Sequence, residues 1–178
     1  MTRAAAVYGA ALYDLAKDEG QTETYLSQLE TARTVLEENP EFLDLLASRA
    51  VPLERRRQVL DRCFSGMEPY LLNYMKLLCD KDHIRLLPEC IRQYELSFNA
   101  DHGIVEAQAV SAVPLTEAQA ETLQKTLETR TGKTVRLHRK TDPAVLGGVR
   151  LEIEGTELDG TVRSRLDEIA AALKQMTL

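Results

Sequence analysis

The sequence predicts an α+β protein: a six-helix bundle over residues 1–102, followed by a small strand–helix–strand–strand–helix domain over 103–178. Two observations carry this reading. Apolar residues recur at the 3.6-residue helical period as far as Asp101, and from Gly103 the period changes to two. A chain of 178 residues, 44% hydrophobic and 28% charged, also has the size and balance of a folded globular protein.

The first helix is amphipathic, with Tyr8, Ala11, Leu12, Leu15 and Ala16 on one face, Asp14, Lys17 and Asp18 on the other, and Gly20 as its stop. The second runs from about Thr22 to Glu38 with Leu29, Ala32 and Leu36 on one side. Asn39-Pro40 then reads as an N-cap with Pro at the first helical position, opening a short helix that carries Phe42, Leu43 and Leu46. Pro52 opens a fourth helix with Val59, Leu60 and Phe64 inward. The fifth, about Pro69 to Cys79, is apolar on most sides, as a central helix or one partly exposed for a partner would be. The sixth places Leu87, Cys90, Ile91, Tyr94 and Phe98 on one face.

In the second part, Gly103 to Val110 alternates as a strand. Thr116 with Gln119 forms a capping box for a helix through Leu123 and Leu127 that ends at Gly132. Val135 and Leu137 mark a second strand, and Asp142-Pro143 a turn. Val149, Leu151 and Ile153 form a third strand, broken at Gly155 and again at Asp159-Gly160. A last helix presents Val162, Leu166, Ile169 and Leu173.

The formal charge is −6, with 22 Lys and Arg against 28 Asp and Glu. Residues 1–105 have a net charge of −5 and residues 106–178 of −1, so neither half is a polycation of the kind that binds nucleic acid generally. No apolar run approaches the roughly 18–20 residues that cross a bilayer. No secretory or transit segment is read at the N-terminus, so a cytoplasmic location is expected, with no membrane insertion.

Motifs for chemistry are sparse. Cys63, Cys79 and Cys90 have no CxxC spacing and read as reduced, partly buried thiols. His83 and His102 fall at helix ends and His138 on a strand, none in a catalytic motif. Gly147-Gly148 leads into a strand, which suits a tight turn better than a phosphate cradle. Asp142 and Asp159 adjoin Pro or Gly and read as turn caps rather than paired acid and base. Two basic clusters remain: Arg55-Arg56-Arg57 in the fourth helix, and Arg136, His138 and Lys140 on one strand face, with Arg150 a candidate to lie across a hairpin. Each is a solvated, salt-bridged surface first, a docking face for an acidic helix second and a nucleic-acid contact last. No catalytic, cofactor or metal residue is expected, and an interaction protein is the leading class.

The run Asp142-Pro143-Ala144-Val145-Leu146-Gly147-Gly148-Val149, followed by Leu158-Asp159-Gly160-Thr161-Val162-Arg163-Ser164-Arg165-Leu166, closely resembles the signature of the ATP synthase delta subunit family. Its mitochondrial counterpart is the oligomycin-sensitivity-conferring protein. Tyr8-Gly9-Ala10-Ala11-Leu12-Tyr13-Asp14-Leu15-Ala16 resembles the family's opening, so the likeness spans the chain. Where the family often has Gly-Arg-Leu, this chain has Asp82-His83-Ile84, so the turn between the fifth and sixth helices is expected to differ. Gly9 and Ala10 stand where Ala and Lys are more usual.

The resemblance implies a non-catalytic peripheral-stalk subunit at the cytoplasmic face of the bacterial plasma membrane, joining the catalytic alpha–beta head of a rotary ATP synthase to its b-subunit stalk. It implies that the helical domain binds the alpha-subunit N-terminal helix in a groove between the first and fifth helices. The candidate residues are Tyr8, Ala11, Leu12, Leu15, Tyr74, Leu77 and Leu78. It implies a b-subunit contact on the second domain, for which Arg136, Gly148, Arg150 and Arg163 are candidates. Neither a small-molecule substrate nor a cofactor is implied. The runner-up is a small RNA- or ribosome-associated module, whose sheet face would present Arg136, His138, Lys140 and Arg150.

Overall fold

The structure is a computed structural model and describes residues 2–145, 147–153 and 156–159. The protein is α+β, and the chain divides into two compact units, residues 1–98 and 99–178.

In the first unit, α1 (Arg3–Asp18) begins where Thr2 accepts the Ala5 N–H on its hydroxyl at 3.3 Å. It is followed by α2 (Thr22–Glu38), α3 (Pro40–Ala47), α4 (Leu53–Cys63) and α5 (Pro69–Asp80). A 3₁₀ turn over Ile84–Leu86 then leads into α6 (Leu87–Asp101). The core of the unit is aliphatic and tyrosine-rich: Tyr25, Leu29, Leu60, Leu71, Met75, Leu78, Ile91 and Tyr94 are all buried. Tyr94 packs edge-on against Tyr13 with centroids 5.3 Å apart, and its hydroxyl donates to the Thr22 carbonyl at 2.8 Å, satisfying the polar tip of a buried ring.

Three local expectations change. The buried stripe of α1 is Ala5, Gly9, Leu12, Tyr13 and Ala16, so Tyr8 and Leu15 lie at its flank and Ala11 is exposed. Gly9 causes the rotation. A Cβ there would sit 2.6 Å from the Cys90 carbonyl oxygen and 2.6 Å from Gln93 Cβ, so α1 meets α6 backbone to backbone at this point. Asn39, expected to cap α3, makes no side-chain cap bond to it. Its amide instead donates back to the Val35 carbonyl at 3.0 Å and closes α2. The turn after α5, expected to depart from the family's glycine-containing form, keeps a left-handed backbone, since Asp82 adopts φ +55°.

In the second unit, β1 (Ile104–Ser111) and β2 (Thr134–Thr141) pair in parallel, joined by α7 (Glu117–Thr131). β3 (Val149–Ile153) runs antiparallel to β1, and β4 (Thr156–Asp159) antiparallel to β3, giving the order β2-β1-β3-β4. The Thr116–Gln119 capping box is present, and Gly132 ends α7 at φ +66°. Ala107, Leu127 and Val135 form the centre of the core, with Leu123, Leu137, Leu151 and Ile153 packed around it.

Two expectations are overturned here. β2 and β3 are not a hairpin: a helical crossover requires β1 and β2 to be parallel neighbours, so the chain must pass the end of β1 to reach its free edge. A fourth strand, Thr156–Asp159, stands where only chain breaks were read. The predicted last helix, with Val162, Leu166, Ile169 and Leu173, lies outside the described residues, as do Leu146, Gly160 and Arg163.

Candidate interaction surfaces

The alpha-binding candidates separate by burial. Leu12 and Leu78 are 2% and 0% exposed and belong to the core. Tyr8, Leu15 and Tyr74 are half-buried, while Ala11 and Leu77 are exposed. Two further apolar side chains, missed in the sequence, are the most exposed of this set: Val7 at 63% and Tyr70 at 54%. Tyr70, Tyr74 and Leu77 follow i, i+4, i+7 along α5, and Ala4, Tyr8, Ala11 and Leu15 follow i, i+4, i+7, i+11 along α1. Each helix therefore buries one stripe and leaves a second apolar stripe in reach of solvent.

Tyr8 ties the two helices together. Its ring meets His83, just past α5, edge-on at 5.9 Å. Its phenol also lies near enough to Tyr74 to add to the rise of that residue's pKa, whose main cause is burial. The Tyr74 hydroxyl is shut off from solvent with only a weak thiol, Cys90, to face.

The arginine triplet of α4 is not one surface. Arg56 is 7% exposed and donates to the Leu46 carbonyl at 3.2 Å and to Asp82 at 3.5 Å. Arg57 grips Asp80 through two bonds of 3.0 and 2.6 Å and reaches Glu54 at 3.2 Å, and its hydrogen bonding holds the Asp80 carboxyl below the usual carboxylate range. Arg55 alone is exposed without such partners among the described residues. Asp82 also takes Arg49 at 3.1 Å, so the carboxylate standing at a glycine-like backbone position gathers two cations from α3–α4. Beside this network, Glu54, Arg57, Asp61, Lys76 and Asp80 line an open polar cleft of about 520 Å³ between α4 and α5.

Cys79 and Cys90 are buried and Cys63 is exposed; burial pushes the Cys79 thiol up to about 11. No grouping of three or more metal-ligating side chains occurs among the described residues.

On the sheet, the register settles which b-contact candidates share a face. Val135 and Ala107 point to α7, so Arg136, paired with Glu106, points away, as do His138 opposite Gln108 and Lys140 opposite Val110. Arg150 pairs with Val110 from the other side and therefore joins that same face, two strands from Lys140 rather than across a hairpin. Gly148 precedes β3 at φ +86°, a conformation that favours glycine. Asp142 has a turn role: its carboxylate accepts the Ala144 N–H at 2.9 Å and its own N–H donates to the Ser111 carbonyl at 2.9 Å. On the α7 side, Leu115, Ala118, Thr122, Leu123 and Val149 line an apolar recess of about 520 Å³ that the sequence did not suggest.

Comparison with known proteins places this arrangement. The family model described as ATP synthase delta (OSCP) subunit matches residues 4–173. The chain belongs to the ATP synthase delta (OSCP) subunit family. Among named relatives, ATP synthase subunit delta of Lacticaseibacillus casei is 31% identical over 167 residues, covering 93% of this chain and 92% of the relative. The Myxococcus xanthus protein of the same name is 32% identical over 172 residues, covering 94% of each. In a cryo-EM structure of the Toxoplasma gondii mitochondrial ATP synthase hexamer, one chain matches with a TM-score of 0.75 at 21% identity, over 97% of this chain and 98% of that one. That likeness supports the fold. The Asp142–Gly148 segment, which carried the resemblance in the sequence, is the connection that leads the chain from β2 past β1 to β3.

Proposed function

We propose that this family member is a non-catalytic stator subunit of a proton-translocating rotary ATP synthase. It joins the alpha–beta head to the b-subunit stalk, so that the head does not turn with the rotor and rotation is coupled to ATP synthesis. Its site is peripheral, at the cytoplasmic face of the membrane; among the described residues no helix is long and apolar enough to cross a bilayer. The first unit acts as a six-helix bundle, and the alpha-subunit N-terminal helix lies along α1 and α5. The second unit holds the C-terminal region of b through Arg136, Gly148, Arg150 and Arg163.

The observation that carries this reading is the second apolar stripe on α1 and α5, with Val7, Tyr70 and Leu77 between 42% and 63% exposed. An amphipathic helix docks on such a stripe through its own i, i+3, i+4, i+7 anchors. Tyr8, Ala11, Leu15, Tyr74 and Leu77 would form the contact, while Leu12 and Leu78 hold its floor in place from the core. Covering about 400 Å² of apolar surface is worth roughly 10 kcal/mol gross, much of it offset by ordering and association costs.

The test is affinity purification of the tagged protein from gently detergent-solubilised membranes, with mass spectrometry of the eluate. Alpha, beta and b subunits are expected with ATPase activity. Recovery of ribosomal or RNA-processing proteins instead would overturn the reading. Ala11→Trp, at an exposed position, should abolish binding of an alpha N-terminal peptide without lowering thermal stability; unchanged peptide affinity would show the groove to be misplaced.

A further inference from the structure

We infer that the open edge of the sheet along β2 is a docking strip for an acidic segment of the b subunit; this rests on the stator reading and assigns the chemistry of its stalk contact. Residues 130–140 carry five basic side chains (Arg130, Lys133, Arg136, Arg139 and Lys140) and no acidic one, in a chain of net charge −6. The topology puts most of this run on one line. β2 is the end strand of the order β2-β1-β3-β4, so among the described residues nothing pairs with its outer side. Its eight residues extend about 26 Å. Arg136, His138, Arg139 and Lys140 are all exposed, and because they stand at an edge, those on both faces are accessible from the same direction.

The internal partners of these cations are exchangeable. Arg136 reaches Glu106 at 3.8 Å with both side chains 48% exposed, and Arg139 reaches Glu117 at 2.8 Å with Glu117 80% exposed. Pairs of this kind contribute little, so a partner carboxylate can replace them at small cost. A charge or two on an end strand serves to keep edges from pairing. A run continuing through Lys133 to the end of α7 is longer than that task requires. A protein partner is favoured over RNA because β2 carries no aromatic side chain on which a base would stack. The apolar floor of the strip is also small, which leaves charge to set orientation and association rate.

The experiment uses the full chain and the soluble portion of the b subunit from the same organism, with affinity measured at about 50 and 300 mM salt, which spans short and long screening lengths. The variant is H138E/K140E. Neither side chain makes an ion pair among the described residues, and both are exposed, so the melting temperature should match the parent. The expected result is parent binding that weakens with salt, and variant binding reduced about tenfold or more at low salt with a flatter salt dependence. If the parent binds b and the variant binds equally well, the inference is wrong and the stator reading stands. If the parent does not bind b, the stator reading fails and the inference fails with it. If the variant instead loses RNA retained by the parent, the strip is a nucleic-acid contact and the inference is overturned.

Discussion

Replacing Gly9 by alanine tests the closest contact in the helical unit. In an exposed helix the change would stabilise the protein by roughly 0.5–1 kcal/mol, because glycine loses more backbone freedom on folding. At this position the new methyl would lie 2.6 Å from the Cys90 carbonyl oxygen, 2.6 Å from Gln93 Cβ and 2.9 Å from Gln93 Cγ. Two of those three atoms cannot swing away, since one is backbone and one is a Cβ fixed to the backbone of α6. The helices must therefore separate, and overpacking of this kind costs about 1–3 kcal/mol. The overpacking term wins, leaving a net loss of about 1–2 kcal/mol and a fall in Tm of roughly 3–6 °C for a chain of this size. Thermal unfolding followed by circular dichroism measures it, with Gly66→Ala as control, because a Cβ at Gly66 would meet nothing within 4 Å. Adding Gln93→Ala should not restore stability, since it removes only the 2.9 Å contact. A Gly9→Ala protein as stable as the parent would refute the close approach of α1 to α6, and with it the explanation of why the stripe of α1 is rotated.

Three other outcomes follow from the same geometry. Asp82→Ala should cost about 1 kcal/mol more than Asp82→Gly, because both lose the carboxylate facing Arg49 and Arg56 but only alanine must also hold φ +55°; equal melting temperatures would argue against the left-handed turn. With a thiol reagent at pH 8, Cys63 should react quickly, and Cys79 and Cys90 only after unfolding, since both are buried and Cys79 is pushed up to about 11; fast labelling of all three thiols would contradict this packing. Asp80 has its folded pKa lowered, so its pairing with Arg57 contributes stability above the unfolded value of 3.8 and loses it as pH falls through the lower folded value. The gap in urea midpoint between the parent and Asp80→Asn should therefore be full at neutral pH and close as the pH falls below about 4; a gap that persisted at pH 2 would point to packing instead.

Element positions were legible because each rests on a local signal: Thr116 with Gln119, the stop at Gly132, Pro40 and Pro69 at helix starts, the alternation of β1. Neighbour relations were not. Nothing local in Val149–Ile153 says that it pairs with β1 rather than β2; that follows from the crossover through α7, a property of the whole unit. β4 was missed because four residues beside Gly155 and Gly160 are too few to establish a period, and they become a strand only when the antiparallel partner is present.

The candidate surface was half legible, for a physical reason that also limits what hydrophobicity can say. A helix that both closes a core and receives a partner has two adjoining apolar stripes, and periodicity returns their sum. On α1 that sum centred on Tyr8, Ala11, Leu12 and Leu15, between the buried stripe through Gly9 and Tyr13 and the open one through Val7 and Ala11. Glycine carries no weight in a hydrophobic pattern, yet Gly9 sets which stripe faces inward. On α5 the same overlap placed Leu78 beside Leu77 as though they shared a role, although one is 0% and the other 42% exposed. What separates the stripes is contact with α6, through the Cys90 carbonyl at Gly9 and the Cys90 thiol at Tyr74. A residue chosen to break partner binding and not the fold should therefore be one that no contact with α6 restrains, and Ala11, Tyr70 and Leu77 meet that condition better than Leu12 or Leu78.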